Sequence, residues 1–545
     1  MTSSDTVVRE SPRESDDPVA PVTGEKSRLH RFLTAVVVAG IVSYALLGVG
    51  APLLGVNVFA ATDLLAPVSP YYSAGLAETV PQTTFLNDTV DAALPNTALF
   101  AEALRDGELA SWNPYIAGGV ILGSGPNYAL LNPITWPYFV MSASLAPGYV
   151  KLVEILVAVG GCFLFLRRIG LGRAAALLGG LAFSSSAFMV AWTNWPQTRV
   201  AAFIPALFWA LELLVRERRV RDAALVALTV AAMLFGGFPA VTGYALMLGG
   251  IYLVVRVWAE YPGQWRRVLA ILAGASAALA AAVGLAAVQL LPFVSSMTGA
   301  LVRGRLQSSA DHLQPQSLIT AIAPWAMGST GRARPPFWYL PENFVESLSY
   351  VGAAALVLVV VAVATPWAAR AMLPRGVWSF LVGATAAGLV VLYVGGPPLA
   401  VLQKVPGLFS HNFVGRARSV LGFVLAVLVA VGFELLLRHR AEFVEALTRR
   451  RRLWAAAVWA AVAVGGLAVF LGARRSARLT DLGRPDPVNR VAHLDREVLV
   501  GLAFLAAALA CLGVLWWAGR RSGRYGRVAR VGALSLLPVL VTVQA

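Results

Sequence analysis

Three aspartates, Asp63, Asp88 and Asp91, stand among apolar neighbours in one moderately polar stretch of the chain. A carboxylate held beside a bound sugar can take the proton from an acceptor hydroxyl as that oxygen attacks the anomeric carbon. A plainer role is also open, because Asp88 or Asn87 could cap a short helix that runs to about Leu104. Asp88 and Asp63 are therefore candidate catalytic residues and Asp91 is a candidate residue of the substrate pocket, with helix capping as the alternative.

The segment WNPYIAGG, residues 112–119, follows these aspartates and is predicted to be tightly turned and re-entrant. Asn113 within it is a candidate pocket residue. Aromatic side chains in and around the segment could stack on a sugar ring, or could belong to the aromatic belt of a membrane interface. These side chains are Trp112, Tyr115, Tyr128 and Trp136.

Two arginines, Arg416 and Arg418, end the segment KVPGLFSHNFVGRAR (404–418) just before an apolar run. A guanidinium group binds phosphate in a bidentate manner, so the pair predicts a site for a phosphate at the level of lipid headgroups. General contact with anionic lipid is the alternative. His411 in the same segment could assist, although a single loop histidine is more often structural.

A third polar group lies between residues 293 and 350. It consists of Arg303, Arg305, Asp311, His312, Glu346 and Tyr350. Glu346 stands where an apolar run begins. It could stabilise the N-terminus of that helix, or it could face the same cavity as Asp88, and the residues favour neither.

The composition identifies the elements that must position these residues. Of the 545 residues, 58% are hydrophobic and 13% are charged, whereas a soluble domain has about 25% charged residues. Apolar runs of about 20 residues recur along the chain, which predicts an all-α polytopic membrane protein. The net charge of +16 does not indicate nucleic acid, because the arginines cluster between apolar runs. Cys162 and Cys511 both lie in apolar runs and are expected in the core.

The apolar runs divide the chain into a tail and a membrane domain. Residues 1–31 are predicted to be a disordered cytoplasmic tail, and 32–545 a transmembrane domain. The first span runs from Phe32 to about Leu54. Further runs bring the total to about thirteen spans; they begin near 149, 174, 200, 223, 241, 268, 347, 379, 419, 454, 498 and 529.

The loops between the spans alternate in charge. Short basic loops are predicted to face the cytoplasm by the positive-inside rule; they lie at 167–173, 216–222, 264–267, 438–452 and 520–527. The extracytoplasmic loops are then the large first one at 57–148 and further ones at 293–346 and 395–418. The N-terminus is cytoplasmic, the odd span count leaves Ala545 outside, and every candidate site residue faces the outer side.

Charged residues close to the spans fit local pairing. Glu154 lies one helical turn from Lys151, and Glu212 and Glu434 each precede arginines near a predicted cytoplasmic end. No line of carboxylates crosses the spans, which weakens the case for an ion-coupled transporter.

Several motifs, in this order, resemble the YfhO-type bacterial membrane proteins, members of the GT-C glycosyltransferase superfamily. They are Asp88 with Pro95, LRDGELASWNPYIAGG (104–119), RRIGLG (167–172), LLP (290–292), ESLSYVG (346–352) and PGLFSHNFVGRAR (406–418). By position, Asp88 matches the aspartate of the family motif, and Asp63 resembles a second aspartate of relatives from high-GC Gram-positive bacteria. Relatives usually carry Gln four residues after the motif aspartate, where this chain has Ala92.

The resemblance implies a GT-C-like helical bundle with a catalytic first outer loop. It also implies a polyprenyl-phosphate sugar as donor, a cell-envelope polysaccharide or glycolipid as acceptor, and the plasma membrane of a bacterium as the location. The leading hypothesis is an inverting glycosyltransferase with Asp88 as base and Arg416 and Arg418 on the phosphate. No cofactor is required, although Asp88 and Asp91 could hold a divalent cation.

Two other classes of function remain as alternatives. A transporter or flippase for a lipid-linked saccharide would need charged or broken helices at mid-depth. A non-catalytic envelope assembly protein would have Asp63 and Asp88 pointing away from any common pocket.

Overall fold

The computed structural model describes residues 23–68, 84–108, 110–116, 118–122, 129–299, 307–329, 337–405, 409–438, 448–483, 488–521 and 523–545. Tyr128, Arg303, Arg305 and the first 22 residues of the predicted tail lie outside these ranges. The described chain is almost entirely helical, as an all-α membrane protein should be.

Helices follow one another closely along both halves of the chain. The first half contains α1 (Thr23–Leu53), α2 (Leu94–Arg105), α3 (Pro137–Val140), α4 (Ala146–Arg168), α5 (Arg173–Ser184), α6 (Ala187–Ala191), α7 (Pro196–Ala201), α8 (Ile204–Arg216), α9 (Val220–Phe235), α10 (Pro239–Glu260), α11 (Trp265–Leu285) and α12 (Ala287–Gly299). The second half contains α13 (Phe344–Ser347), α14 (Ala353–Ala364), α15 (Pro366–Met372), α16 (Val377–Tyr393), α17 (Gly396–Leu402), α18 (Arg418–Arg438), α19 (Arg449–Gly483), α20 (Arg490–Arg520) and α21 (Arg524–Gln544). Two short antiparallel hairpins pair β1 (Trp112–Asn113) with β2 (Val120–Ile121) and β3 (Gly328–Ser329) with β4 (Phe337–Trp338).

Within the described ranges, nine helices are long and apolar enough to cross a membrane, and the chain is therefore membrane-embedded. They are Ser27–Leu53, Ala146–Arg168, Pro196–Arg216, Pro239–Glu260, Trp265–Leu285, Val414–Arg438, Arg449–Gly483, Arg490–Arg520 and Arg524–Gln544. Two sharply bent pairs, α14 with α15 and α16 with α17, raise the number to at most eleven.

The expected thirteen spans are therefore not reached. The apolar runs that begin near 174 and 223 form helices of only 12 and 16 residues. At 1.5 Å per residue these helices are about 18 and 24 Å long, shorter than the ~30 Å hydrocarbon layer. Apolar composition alone could not separate these short buried helices from full spans.

The helix α1 begins at Thr23, so residues 23–31 at the end of the predicted tail are helical. Once a span has formed a helix, adding a residue to its end costs little compared with nucleation. The polar residues 23–31 therefore continue the helix before the apolar run starts.

The helix α18 forms the centre of the bundle, and most of its residues are buried. Rings from four different helices meet beside it: Phe165, Phe208, Tyr252 and Phe423 have centroids 4.8 to 5.8 Å apart. Gly432 permits α14 to approach, because a Cβ there would lie 2.0 Å from the carbonyl oxygen of Leu358. The core is thus packed around one long apolar helix.

The bundle has two chemically different ends. Arg168 at the end of α4 pairs with Glu217 just after α8, and Arg438 at the end of α18 donates to the carbonyl of Gly170. The last turns of α4, α8 and α18 therefore lie together at what we term the basic end. The first turns of these helices, with Lys151 and Arg418, lie at the other end, which we term the loop end.

The loop end extends beyond the length of one span. The 35 residues of α19 make a helix of about 52 Å, longer than the hydrocarbon layer. Its far part packs with α20 and the 3₁₀ helix Pro315–Ala321 around a second apolar cluster, separate from the main core. That cluster contains Ile319, Met327, Leu340, Ala473, Leu494 and Val498.

Candidate functional site

An ion pair between Arg416 and Glu346 lies at the loop end. Arg416 Nη2 is 2.9 Å from Glu346 Oε1, and Nη1 donates to Asn412 Oδ1 at 3.1 Å. The two charged side chains are 19% and 14% exposed, so a ligand can reach them. Arg416 Nε and Glu346 Oε2 are buried and have no hydrogen-bond partner among the described residues. The guanidinium also lies over the rings of Phe238 and Trp192, at 4.9 and 5.7 Å from their centroids.

Local capping and Arg418 position this pair. The Asn343 side chain accepts a hydrogen bond from the backbone of Glu346 and starts the short helix α13. Arg418 is 4% exposed, and its three guanidinium nitrogens donate to the carbonyls of Gly415, Leu348 and Val345. It therefore ties the segment that carries Glu346 to the segment that carries Arg416.

This geometry corrects the phosphate-binding role expected for Arg418. Its donors all bond to backbone oxygens, so Arg418 positions the segments around it. Its positive charge still favours an anion nearby. Arg416 is 19% exposed, so it is the arginine of the pair that an anion could reach.

An apolar groove of about 530 Å³ opens beside this pair, between α10, α16, α17 and α18. Its walls are made almost wholly of aliphatic and aromatic side chains, among them Ile251, Phe380, Val391, Leu402 and Val420. One part of the groove is lined by Ala417, the neighbour of Arg416, and by Tyr244, which interacts electrostatically with Arg416 and Glu346. Arg416 and Glu346 are not lining residues themselves, and these two neighbours place the groove beside the charged pair.

The pairing predicted for Lys151 and Glu154 is confirmed. Lys151 Nζ lies 2.6 Å from Glu154 Oε1 and also donates to the carbonyl of Met189. Glu154 Oε2 accepts a hydrogen bond of 2.7 Å from Thr198 Oγ1. The pair thus links three elements, α4, α6 and α7, inside the loop end.

Arg199 is a site residue that the sequence reasoning missed. It is 1% exposed, and neither Nη1 nor Nη2 has a hydrogen-bond partner in the described ranges. Tyr138, outside the spans, is close enough to interact with it: burial raises the pKa of Tyr138 to about 12, and the Arg199 charge opposes that rise. The signal was an arginine directly before the apolar run that begins near 200, since a charge there is costly without a function.

The chain turns sharply just before Arg199. Asn194 adopts a φ of 67°, in the left-handed region that asparagine tolerates better than most residues. The turn brings Trp192 and Trp195 together edge to face, with centroids 5.3 Å apart. Both indole Nε1 atoms are buried without a partner among the described residues.

The three candidate aspartates lie on two neighbouring turns. Asp63, half-buried, is in the 3₁₀ helix Thr62–Leu65, which packs against the helical turn Thr89–Ala93 that carries Asp91. Asp88 precedes this turn. It occupies the N-cap position of this turn, but its side chain makes no capping hydrogen bond, so Asp88 does not act as a cap here. Asp88 and Asp91 are both exposed.

One hydrogen bond connects this part of the first loop to the tryptophans. Asn194 Nδ2 donates to the carbonyl of Phe59, four residues before Asp63, at 2.7 Å. A path of direct contacts therefore runs from the segment of Asp63 through Asn194 and Trp192 to Arg416. Asp88 and Asp91 form no ion pair with Arg416 within the described residues.

The segment WNPYIAGG begins a short β-hairpin, in which Trp112 and Asn113 pair with Ile121 and Val120. Gly119 has a φ of 116°, and a Cβ there would lie 2.1 Å from the Trp112 ring, so both its conformation and its lack of a side chain are required. Asn113 is buried, donates to Asn96 Oδ1 at 2.7 Å and accepts from the backbone of Tyr115. It holds the hairpin on α2. Trp112 and Tyr115 are 52% and 81% exposed.

Three of the remaining candidates form hydrogen bonds outside the ion pair. His411 Nδ1 lies 2.8 Å from Ser410 Oγ, and His312 Nδ1 lies 3.0 Å from the carbonyl of Leu313. Tyr350 donates to the carbonyl of Gln544 and so ties the start of α14 to the end of α21. Trp136 is 58% exposed. These contacts position backbone and leave Arg416 and Glu346 as the charged core of the site.

No group of three or more His, Cys, Asp and Glu side chains that could hold a metal ion occurs within the described residues. Comparison with known proteins adds no relative, because no family model and no curated protein matches this chain. The geometry at the loop end therefore carries the functional argument.

Proposed function

We propose that this chain is a membrane glycosyltransferase that moves a sugar from a polyprenyl-phosphate donor to a cell-envelope acceptor at the outer face of a bacterial plasma membrane. One observation carries the proposal: Ala417, next to Arg416 in the chain, and Tyr244, which interacts with Arg416, line one part of the apolar groove. A lipid tail in the groove would bring a phosphate head towards this partly exposed cation.

Charge favours an anion at this position. Arg416 and Arg418 are two cations, and Glu346 is the carboxylate that acts on both, so the local sum is positive. Arginine binds phosphate through directed donors, and a partly buried cation binds it more strongly than one in water. Arg416 would hold the ground-state phosphate and would stabilise it further as it leaves with the bonding electrons.

The proposed orientation follows from the two ends of the bundle. Arginines gather at the basic end, where Arg168, Arg216 and Arg438 lie, and the positive-inside rule assigns such an end to the cytoplasm. The loop end, with Arg416 and the first loop, is then extracytoplasmic. Donor lipid would enter the groove sideways from the bilayer.

In the proposed reaction, Asp88 takes the proton from an acceptor hydroxyl. The hydroxyl oxygen attacks the anomeric carbon, the bond from that carbon to the phosphate oxygen breaks, and the configuration inverts. Asp88 suits this role because it is exposed and makes no capping hydrogen bond. The resemblance of its motif to the YfhO-type proteins supports the same assignment.

The test is sugar transfer by the purified full chain in lipid nanodiscs with polyprenyl-phosphate-linked hexoses as donors. Asp88→Asn should lower the transfer rate by about 10²- to 10⁴-fold, the usual contribution of a general base. Asp106→Asn, a change at another exposed aspartate of the same loop, is the matched control and should keep the wild-type rate. Equal rates for Asp88→Asn and wild type would remove Asp88 from the mechanism, and no transfer by wild type would contradict the proposal itself.

A further inference from the structure

The loop end contains a buried cation for which the described residues provide no hydrogen-bond acceptor. Arg199 on α7 is 1% exposed, and both of its terminal nitrogens lack a partner there. An arginine cannot lose its proton to relieve this burial. A buried charge is costly unless it is paired, so the site around Arg199 lacks one anion.

The carboxylate that acts on Arg199 is already committed. Glu154 attracts Arg199, but its two oxygens accept hydrogen bonds from Lys151 and Thr198, at 2.6 and 2.7 Å. One carboxylate thus serves two cations, Lys151 and Arg199. The group keeps an excess of one positive charge.

The surroundings of Arg199 are rich in unused donors. The Tyr138 hydroxyl, which interacts electrostatically with Arg199, is buried and has no partner in the described part of the chain. In the segment just before Arg199, Trp192 Nε1 and Trp195 Nε1 are also buried without a partner among the described residues, whereas the single unused acceptor of this segment is Gln197 Oε1. An excess of donors over acceptors suits a group with several anionic oxygens.

We propose that Arg199 and Tyr138 bind an oxyanion, a phosphate or a carboxylate, that is carried by the ligand of the loop end. This site is distinct from Arg416. The Trp192 ring contacts the Arg416 guanidinium and the Trp195 ring, and Trp195 directly precedes α7, the helix that carries Arg199. Assigning the oxyanion to an acidic substituent of the transferred sugar rests on the proposed function, whereas the oxyanion site does not.

Stability distinguishes a ligand site from a structural arginine. If Arg199 holds the fold together, its removal lowers the melting temperature, as with any broken buried pair. If the Arg199 charge serves instead to bind a ligand, Arg199→Met removes an uncompensated cation at similar volume. The melting temperature of the ligand-free protein then rises.

The experiment measures thermal unfolding of the full chain in nanodiscs with inorganic phosphate, glucuronate or neutral glucose, at constant ionic strength. Phosphate or glucuronate should raise the melting temperature of wild type, and whichever acts identifies the oxyanion; glucose should not. The dissociation constant should weaken at least about tenfold in Arg199→Met, since a charged hydrogen bond is lost. Arg266→Gln, an exposed arginine of the basic end, should behave like wild type.

Tyr138→Phe is the second variant, because it removes only a hydroxyl that has no partner among the described residues. It should fold normally while binding the anion more weakly. The proposal is overturned if no anion stabilises wild type, or if both variants keep the wild-type response. Sugar transfer from a neutral donor without any anion effect would sustain the proposed function and overturn this site alone.

Discussion

The two ends of the bundle bury the same kinds of residues and treat them differently. At the basic end, Glu212 and Arg256 are fully buried and form a double hydrogen bond at 2.9 and 3.0 Å. Tyr252 and Arg216 donate to the same carboxylate, and Arg256 also reaches the carbonyl of Arg375. At the loop end, Arg199 is equally buried and has none of these partners among the described residues.

This difference in hydrogen bonding indicates different roles for the two ends. A complete network of buried hydrogen bonds fixes one structure, and an incomplete one costs stability. Proteins retain such a loss of stability mainly where the binding of a ligand offsets it. The network of Glu212 and Arg256 therefore holds helices of the basic end together, whereas the polar groups that we propose to bind a ligand lie at the loop end.

The largest loss of stability is expected from a variant that breaks the hydrogen-bond network of Glu212 and Arg256. Glu212→Gln removes the carboxylate that Arg256 binds through two hydrogen bonds and leaves it only the partly exposed Glu260, at 3.2 Å, which should cost about 3–5 kcal/mol of unfolding free energy. Denaturation of the detergent-solubilised protein measures it. Glu217→Gln is the control, because this carboxylate is 25% exposed at the same end and should cost far less. Equal losses would mean that burial does not set the strength of these pairs.

The next largest effect on stability should differ between Arg416 and Arg418, the two arginines of the loop end. Arg418→Met removes donors from three carbonyls and should lower the unfolding free energy by about 1–3 kcal/mol. Arg416→Gln should change it by less than about 1 kcal/mol, because the Arg416–Glu346 pair is partly exposed. The same denaturation assay applies. A larger loss in Arg416→Gln than in Arg418→Met would reverse the roles assigned to them.

A smaller effect is expected in the hairpin of the first loop. Gly118→Ala and Gly119→Ala both place a side chain at positive φ, which costs about 1–2 kcal/mol. Only a Cβ at Gly119 meets the Trp112 ring, whereas one at Gly118 has open space. Hydrogen exchange of residues 110–122 should therefore rise more in Gly119→Ala. Similar exchange in both variants would show that the ring moves aside freely.

The smallest effect concerns Asp88. Asp88→Asn should change the unfolding free energy by less than about 0.5 kcal/mol, since the side chain is exposed and caps nothing. A thermal melt beside the transfer assay checks this. A clear loss of stability would return Asp88 to the helix-capping role.

Sequence spacing predicted local pairs well and distant ones poorly. Lys151 with Glu154, and Glu212 with Arg216, are one helical turn apart, and their contacts follow from helix geometry. The pair of Glu212 with Arg256 joins positions 44 residues apart, and that of Glu346 with Arg416 joins positions 70 apart. No local pattern contains such contacts, because they depend on how α8, α10 and the loops pack.

Sequence also indicated which residues are polar but not which are already bonded. Arg416 and Arg418 are two residues apart and look equivalent in the sequence. The Arg418 guanidinium donates to backbone carbonyls, whereas the Arg416 guanidinium is partly exposed. Apolar length likewise overestimated the spans, since short buried helices such as α5 have the composition of a membrane segment. Both errors concern burial, which only tertiary packing determines.

The most direct test of the central claim is binding of undecaprenyl phosphate to the protein in nanodiscs. Gly383→Phe fills the groove, because a Cβ at Gly383 meets only open space and the residue lines the wall. Gly250→Phe places the same ring at an exposed position of α10 outside the groove and is the control. We expect Gly383→Phe and Arg416→Gln to bind undecaprenyl phosphate at least about tenfold more weakly than wild type, and Gly250→Phe to bind it with unchanged affinity. Wild-type affinity in both Gly383→Phe and Arg416→Gln would contradict it.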